Sequence, residues 1–384
     1  MKRVAELDGL RGIAILLVIG CHYEVFARQF KGLPQYGWVG VDLFFVLSGF
    51  LITSVLLNLR GQAAAFKTFY ARRIRRIIPP YLAFLVLLYV VTAALGDHTL
   101  YKKGTIARNL LFLQSFGSLR EMLKLMLSGR TLSLTHSHHL GPAVAVLQEP
   151  VSNGAGVLWS LSIEEYYYLL WAPVVLWMRP RWAAMSAVGI CLLMVASRWL
   201  GSLGTGGYYC IYQRFDAPVF GSLVAMLIAS KVPKRTQGRI FVMAGMAGAA
   251  TLALIFAGMG NVLGREIRQD HSFMVFGVPA LSLIAASAIG ISVVRSGSRF
   301  LFVLRSSLLH FFAKVSYTLY LLHGFVYLCF LHFFAPTLTV SLAALLCAVT
   351  LSWLSWTYLE RPILEGGRED RRKARAGLNY ASVA

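Results

Sequence analysis

Of 384 residues, 57% are hydrophobic and only 14% are charged, against about 25% charged in a soluble domain, and the mean hydropathy is +0.65. A set of ordinary soluble domains is excluded, and the solvent for most of the chain is lipid. The formal charge of +21 does not indicate nucleic acid, because Lys and Arg fall in short runs between apolar stretches and no recognition module accompanies them.

A helix crossing the hydrocarbon needs about 20 apolar residues. In chain order the candidate spans are 8–27, 38–58, 79–95, 158–178, 183–199, 212–230, 239–258, 272–293, 309–333 and 337–358. The expected fold is an all-α integral membrane protein, a bundle of about ten transmembrane helices. The first span follows Met1-Lys2-Arg3 closely and lacks a small-residue cleavage site, so it reads as a retained helix and not a signal peptide. The long connection 96–157 holds an amphipathic stretch near 106–128, expected to lie on the membrane surface or to cap the bundle. Of 37 Lys and Arg, 23 fall at the termini and in one alternate set of connections and 10 in the other set. Positive charge marks the cytoplasmic side, so both termini are expected there and 96–157 outside. Residues 1–364 then form the transmembrane domain and 365–384 a basic cytoplasmic tail. The five cysteines show no metal spacing and read as small apolar side chains. His136, His138 and His139 lack a completing ligand pattern, so they read as a solvated loop and no metal is expected.

A charge inside a span is costly and is by default a functional-site hypothesis. Arg11 and His22 are eleven residues apart in the first span, about 20° beyond three full turns, so they share a face about 16 Å apart along the axis. Arg11 could instead snorkel to the headgroups, and His22 could serve as an interhelical hydrogen bond. Asp42 is expected at the depth of His22, where a carboxylate would fix the imidazole tautomer. Glu164, Glu165, Arg214, Asp216 and His323 are expected in the same outer layer, forming a polar pocket open to the outer face. On the inner side, Arg72, Arg73, Arg75 and Arg76 precede Pro79. Such a cluster suits either a topology anchor or multidentate phosphate binding. A transporter or flippase also gathers buried charges near the midplane, but it needs no arginine cluster, and no inverted repeat is visible.

The stretch LDGLRGIAILLVIGCH carries an Arg-x10-His pattern that resembles the acyltransferase-3 family of membrane proteins, which includes O-acetyltransferases of bacterial surface polysaccharides. GVDLFFVLSGFLIT, FYARRIRRIIPPY, LWSLSIEEYYYLLW, QRFDAPVFGSLVA, VSYTLYLLH and YLERP are similar to the family's successive blocks, in order, from about residue 5 to 364. The resemblance implies a ten-helix core in the bacterial cytoplasmic membrane and acyl-CoA, most often acetyl-CoA, as donor substrate, with no permanently bound cofactor. It implies a carbohydrate or glycolipid acceptor, with membrane lipid as surroundings. Arg73 and Arg76, with Arg72 beside them, would bind the CoA phosphates. His22, oriented by Asp42, would act as general base, and Arg11 would line the donor route. Glu164, Glu165, Arg214, Asp216 and His323 would shape the acceptor side. The pattern departs from the family at Tyr166-Tyr167, where Gln-Phe is usual, and at LLHGF in the ninth span. Many relatives carry a further esterase-like domain, and its activity is not expected here.

Overall fold

The computed structural model describes residues 4–23, 25, 34–97, 101, 105–116, 156–199, 207–209, 211–259 and 266–366. Ten helices of 14 residues or more occupy the ten expected stretches, and the described residues contain no strand. They are α1 (Ala5–His22), α2 (Val39–Leu59), α3 (Ala65–Ala94), α4 (Leu158–Trp177), α5 (Pro180–Trp199), α6 (Asp216–Ala229), α7 (Lys234–Met259), α8 (Val278–Val294), α9 (Ser307–Phe333) and α10 (Leu338–Ser355). Among the described residues, seven helices are long and apolar enough to cross a membrane. The other three are α1, which carries Glu6, Asp8 and Arg11, α4, which carries Glu164 and Glu165 among tyrosines, and α6, which has only 14 residues. The segments that fall short on apolar length are therefore mostly those that bring charge into the bundle.

Several boundaries differ from expectation for identifiable reasons. α1 ends at His22 because Tyr23 turns to an extended conformation. Tyr23 is held there by donating to the His323 carbonyl at 3.1 Å and stacking on Tyr327 at 4.2 Å. α3 begins at Ala65 and runs through Pro79 and Pro80, so Arg72–Arg76 are helical and not a connecting loop. Proline inside a helix costs a hydrogen bond but does not always end it. Among the described residues the amphipathic stretch holds a helix at Thr105–Leu110 and a 3₁₀ turn at Gln114–Phe116, and its remainder, 117–128, lies outside them. His136, His138, His139 and the tail beyond 366 lie outside the described residues. Ser306 and Thr337 cap α9 and α10, their hydroxyl oxygens accepting from the N–H groups of Leu309 and Val340, as N-cap residues do.

α1, α2 and α9 form the centre, around a core that includes Ile15, Val18, Phe45, Leu319 and Phe325. α7 and α10 are peripheral, with 11% and 22% of their apolar windows buried. α2 and α6 approach backbone to backbone: a Cβ on Gly49 would lie 1.7 Å from the Pro218 carbonyl oxygen, and one on Gly221 1.9 Å from that of Val46. Small residues are what permit such approach where lipid supplies no hydrophobic drive between helices. At one end Glu6, buried, accepts from Ser296 Oγ at 3.0 Å, from the Gly297 N–H at 2.8 Å and from Arg305 at 2.9 Å, fastening the first turn of α1 to the connection between α8 and α9.

Gly49→Leu should therefore push α2 off α6, an overpacking cost of about 1–3 kcal/mol or more. A large fall in thermal midpoint in detergent is expected, whereas Gly189→Leu, with nothing within 4 Å of its Cβ position, should leave the midpoint nearly unchanged.

Candidate active site

A cavity of about 100 Å³ opens between α1, α2, α3, α4 and α9, and Arg11, Arg73, Arg76 and Glu164 line it. Residues 73, 76 and 77 fall on one face of α3 by helical spacing, which is why Arg73 and Arg76 enter the cavity while Arg72 lies off its wall. Tyr168, one turn after Glu164, donates to Glu164 Oε2 at 2.8 Å. Its oxygen is also 2.5 Å from Ser48 Oγ, and since the tyrosine hydrogen is committed to the carboxylate, Ser48 is the donor there. The Arg73 guanidinium lies over the rings of Phe69 and Tyr168, at 5.8 and 5.6 Å, a cation–π arrangement that holds a cation without neutralising it. Three guanidiniums thus face one carboxylate in the cavity. Glu165, next along α4, opens onto a separate crevice of about 240 Å³ on the far side of Arg73 and Tyr168.

Beyond Ser160 and Tyr320, whose hydroxyls are 2.6 Å apart on the cavity wall, lie two imidazoles. His22 Nδ1 is 2.8 Å from the Val18 carbonyl, and His323 Nδ1 is 2.8 Å from that of Tyr320. A carbonyl oxygen only accepts, so each Nδ1 carries the hydrogen and each Nε2 holds the lone pair of the neutral ring. The two rings meet edge to face at 4.9 Å. His323 is fully buried and its Nε2 has no hydrogen-bond partner. His22 is partly exposed, so it is the imidazole within reach of a substrate.

Asp42 does not orient His22, which corrects the expectation from depth. Asp42 Oδ1 pairs with Arg214, and Oδ2 accepts from Tyr208 at 2.6 Å. Asp216 accepts from Arg198 at 2.6 Å, and Arg198 also donates to the Gln213 carbonyl. All four charged side chains are 2% exposed or less. The single outer layer expected from sequence is instead three groups: the cationic cavity with Glu164, the His22–His323 pair, and this sealed block of ion pairs. Asp42, Arg214 and Asp216 belong to the block, fastening α2, α5 and α6, with no open path to a substrate among the described residues. Arg198, Tyr168, Tyr208 and Tyr320 were not singled out from sequence. For Arg198 a signal existed, a charge at the end of an apolar run.

A multi-pass helical bundle with a cationic cavity, and with two imidazoles in contact next to Tyr320 of its wall, has the layout of a membrane-embedded group-transfer enzyme. The chain matches the acyltransferase domain model of the acyltransferase-3 family over residues 4–357, and it belongs to that family. It is 26% identical over 379 residues to the O-acetyltransferase OatA of Staphylococcus aureus, covering 94% of this chain and 57% of the relative. It is 30% identical over 200 residues to the peptidoglycan O-acetyltransferase OatA of Listeria monocytogenes, covering 50% of this chain and 28% of the relative. The chain thus spans little more than half the length of the first and less than a third of the second. No solved structure matches it.

The ion-pair block and the imidazoles are separable by experiment. Asp42→Ala leaves Arg214 buried without its carboxylate, a cost of about 3–5 kcal/mol, and should abolish the folded, monodisperse species in detergent. His22→Ala should leave the thermal midpoint within a few degrees of wild type. Equal stability of the two variants would refute a structural role for Asp42.

Proposed function

We propose that the chain is a membrane O-acyltransferase that moves an acyl group, acetyl by analogy with the relatives named above, from acyl-CoA to a hydroxyl of a carbohydrate-type acceptor. The observation that carries this reading is the cavity's polarity. Three guanidiniums line it, and Tyr320 of its wall lies against His323, which in turn meets His22. Its small volume suits a thin pantetheine arm and not a nucleotide, which would stay at the arginine end. Arg73 and Arg76 would hold the phosphates, with Arg11 along the arm. The ten helices would all span the bacterial cytoplasmic membrane, with both termini and the arginine end facing the cytoplasm. The acceptor, a sugar hydroxyl of a polysaccharide, glycolipid or peptidoglycan, would approach from the opposite side.

In this mechanism His22 Nε2 takes the proton of the acceptor hydroxyl as its oxygen attacks the thioester carbonyl. The tetrahedral intermediate collapses with cleavage of the C–S bond, the CoA thiolate leaves, and the imidazolium returns the proton to it. A positioned imidazole contributes about 10²–10⁴-fold. His323, buried against the His22 ring, is a positioning residue: it keeps that ring from rotating away from Val18. A transporter would account for buried charge, but it needs no pair of imidazoles in contact beside a cavity lined by three guanidiniums.

The test is thiol release from acetyl-CoA by purified protein in lipid nanodiscs. Wild type should turn over, His22→Ala should lose about 10²–10⁴-fold with acetyl-CoA binding retained, and Arg73→Gln/Arg76→Gln should weaken binding itself. Folded protein that neither binds nor turns over acetyl-CoA would sink the reading. His323→Gln should lower kcat with KM little changed, and an unchanged kcat would remove His323 from the mechanism.

A further inference from the structure

At the basic end of the bundle, away from the cationic cavity, a second cleft of about 620 Å³ lies between the start of α7 and the end of α8. Its walls hold four cations, Lys234, Arg235 and Arg239 from α7 and Arg295 after α8, above an apolar floor that includes Val242, Met243 and Val294. Positions 235, 239, 242 and 243 fall on one face of α7 by helical spacing. In the middle of that wall stands Gly238, where a Cβ would meet only Val294, at 3.8 Å, so the cleft is hollow at its centre. None of the four cations forms an ion pair among the described residues.

Two features go beyond a general excess of positive charge at one membrane face. First, Lys234 and Arg235 occupy the first turn of α7, which contains no acidic residue. A helix N-terminus already carries partial positive charge and favours anions, so two cations there are unfavourable unless an anion joins them. Second, the turn that presents them is braced: Gln237 Nε2 donates to the Leu227 carbonyl at 2.9 Å and the Val232 carbonyl at 3.0 Å. The charges are therefore crowded and held in place. Below them, α7 is the least buried of the helices long and apolar enough to span, and Met243 is 68% exposed on its lipid side.

We propose that this cleft binds an anionic phospholipid, its phosphate groups among Lys234, Arg235, Arg239 and Arg295 and its acyl chains along Val242, Met243 and the lipid-facing side of α7. Basic pockets between transmembrane helices at the headgroup level take multiply charged lipid headgroups in this way. Four cations suit a headgroup with two phosphates better than one with a single phosphate, and the apolar floor continuous with a lipid-exposed helix selects a lipid over a soluble anion. The inference rests on the membrane reading of the chain and not on acyl transfer, so it stands or falls separately.

The experiment is native mass spectrometry of the full chain, delipidated in detergent and titrated with cardiolipin, phosphatidylglycerol or phosphatidylcholine. Wild type should retain cardiolipin at least tenfold more tightly than phosphatidylcholine, with phosphatidylglycerol between them. Arg235→Gln/Arg239→Gln should lose that preference about tenfold. Gly238→Leu, which fills the cleft without changing charge, should do the same, while Arg179→Gln/Arg181→Gln, an equal charge loss elsewhere at the basic end, should not. Equal losses from both arginine pairs would reduce the cleft to diffuse surface charge and overturn the proposal. So would full lipid retention by Gly238→Leu, or displacement of cardiolipin by inorganic phosphate at matched phosphate concentration.

Discussion

Asp42, Arg214, Asp216 and Arg198 lie with almost no solvent in the join between α2, α5 and α6, and the arrangement of the rest depends on them. A charge taken out of water costs several kcal/mol even after relaxation, and only a close partner with its remaining hydrogen bonds satisfied offsets this. Tyr208 and the Gln213 carbonyl supply some of these bonds, and the Arg214 guanidinium stacks 4.3 Å from the Tyr208 ring, although Arg198 Nε, Arg214 Nε and Nη1 and Asp216 Oδ1 have no hydrogen-bond partner among the described residues. The reciprocal contact of Gly49 and Gly221 then allows only one separation of α2 and α6. With α2 so placed, Phe45, whose ring also lies 5.8 Å from the Arg214 guanidinium, and Ser48 line the cavity, and α1 packs along α2.

That division explains how one bundle can hold both paired and unsatisfied charge. The ion-pair block is sealed, and removing either partner of a pair would leave an uncompensated buried charge, since each carboxylate is paired with one guanidinium. The cavity does the opposite: Arg11, Arg73 and Arg76 share Glu164, and Tyr168 already donates to that carboxylate. Surplus positive charge in a confined, mostly apolar cavity is stable only because it is open to water or to an anion. The buried Nε2 of His323 is a smaller instance of the same tension, a lone pair kept without a partner beside an imidazole that can reach one.

Much of this was legible in the chain. The apolar stretches of the sequence coincide with the ten long helices among the described residues, and counting residues from their ends brought His22 and His323 to one depth, where the rings do meet. The arginine cluster before Pro79 suited either an anchor or phosphate binding, and Arg73 and Arg76 of that cluster line the cavity. What counting could not supply is azimuth. Depth along a helix follows from 1.5 Å per residue, but which neighbour a side chain faces turns through 100° at each step and depends on packing order. Asp42 therefore faces Arg214 and Tyr208 and not His22, and Glu164, expected in the outer layer, sits on a turn of α4 that faces the arginines. Arg198 was invisible as a partner because the residue that needs it, Asp216, belongs to the next helix. The start of α3 was misplaced for another reason: Pro79 and Pro80 read as a boundary, yet the helix passes through them.

On the proposed reading, the distance between the arginines and His22 bears on why a long-armed thioester would suit as donor. Arg11 and His22 share one face of α1 about 16 Å apart, and Arg73 and Arg76 lie with Arg11. A small acyl donor could not touch both ends at once, so binding energy gathered at the arginines would do nothing for the imidazoles. An extended phosphopantetheine arm spans a gap of that order, and binding energy gained far from the reacting bond is then available to position it. On the acyl-CoA reading, the narrow bore also keeps the nucleotide on one side while the acyl group alone reaches His22. On that reading only the acyl group and its arm would cross the membrane, and the bundle would not need to open to either side.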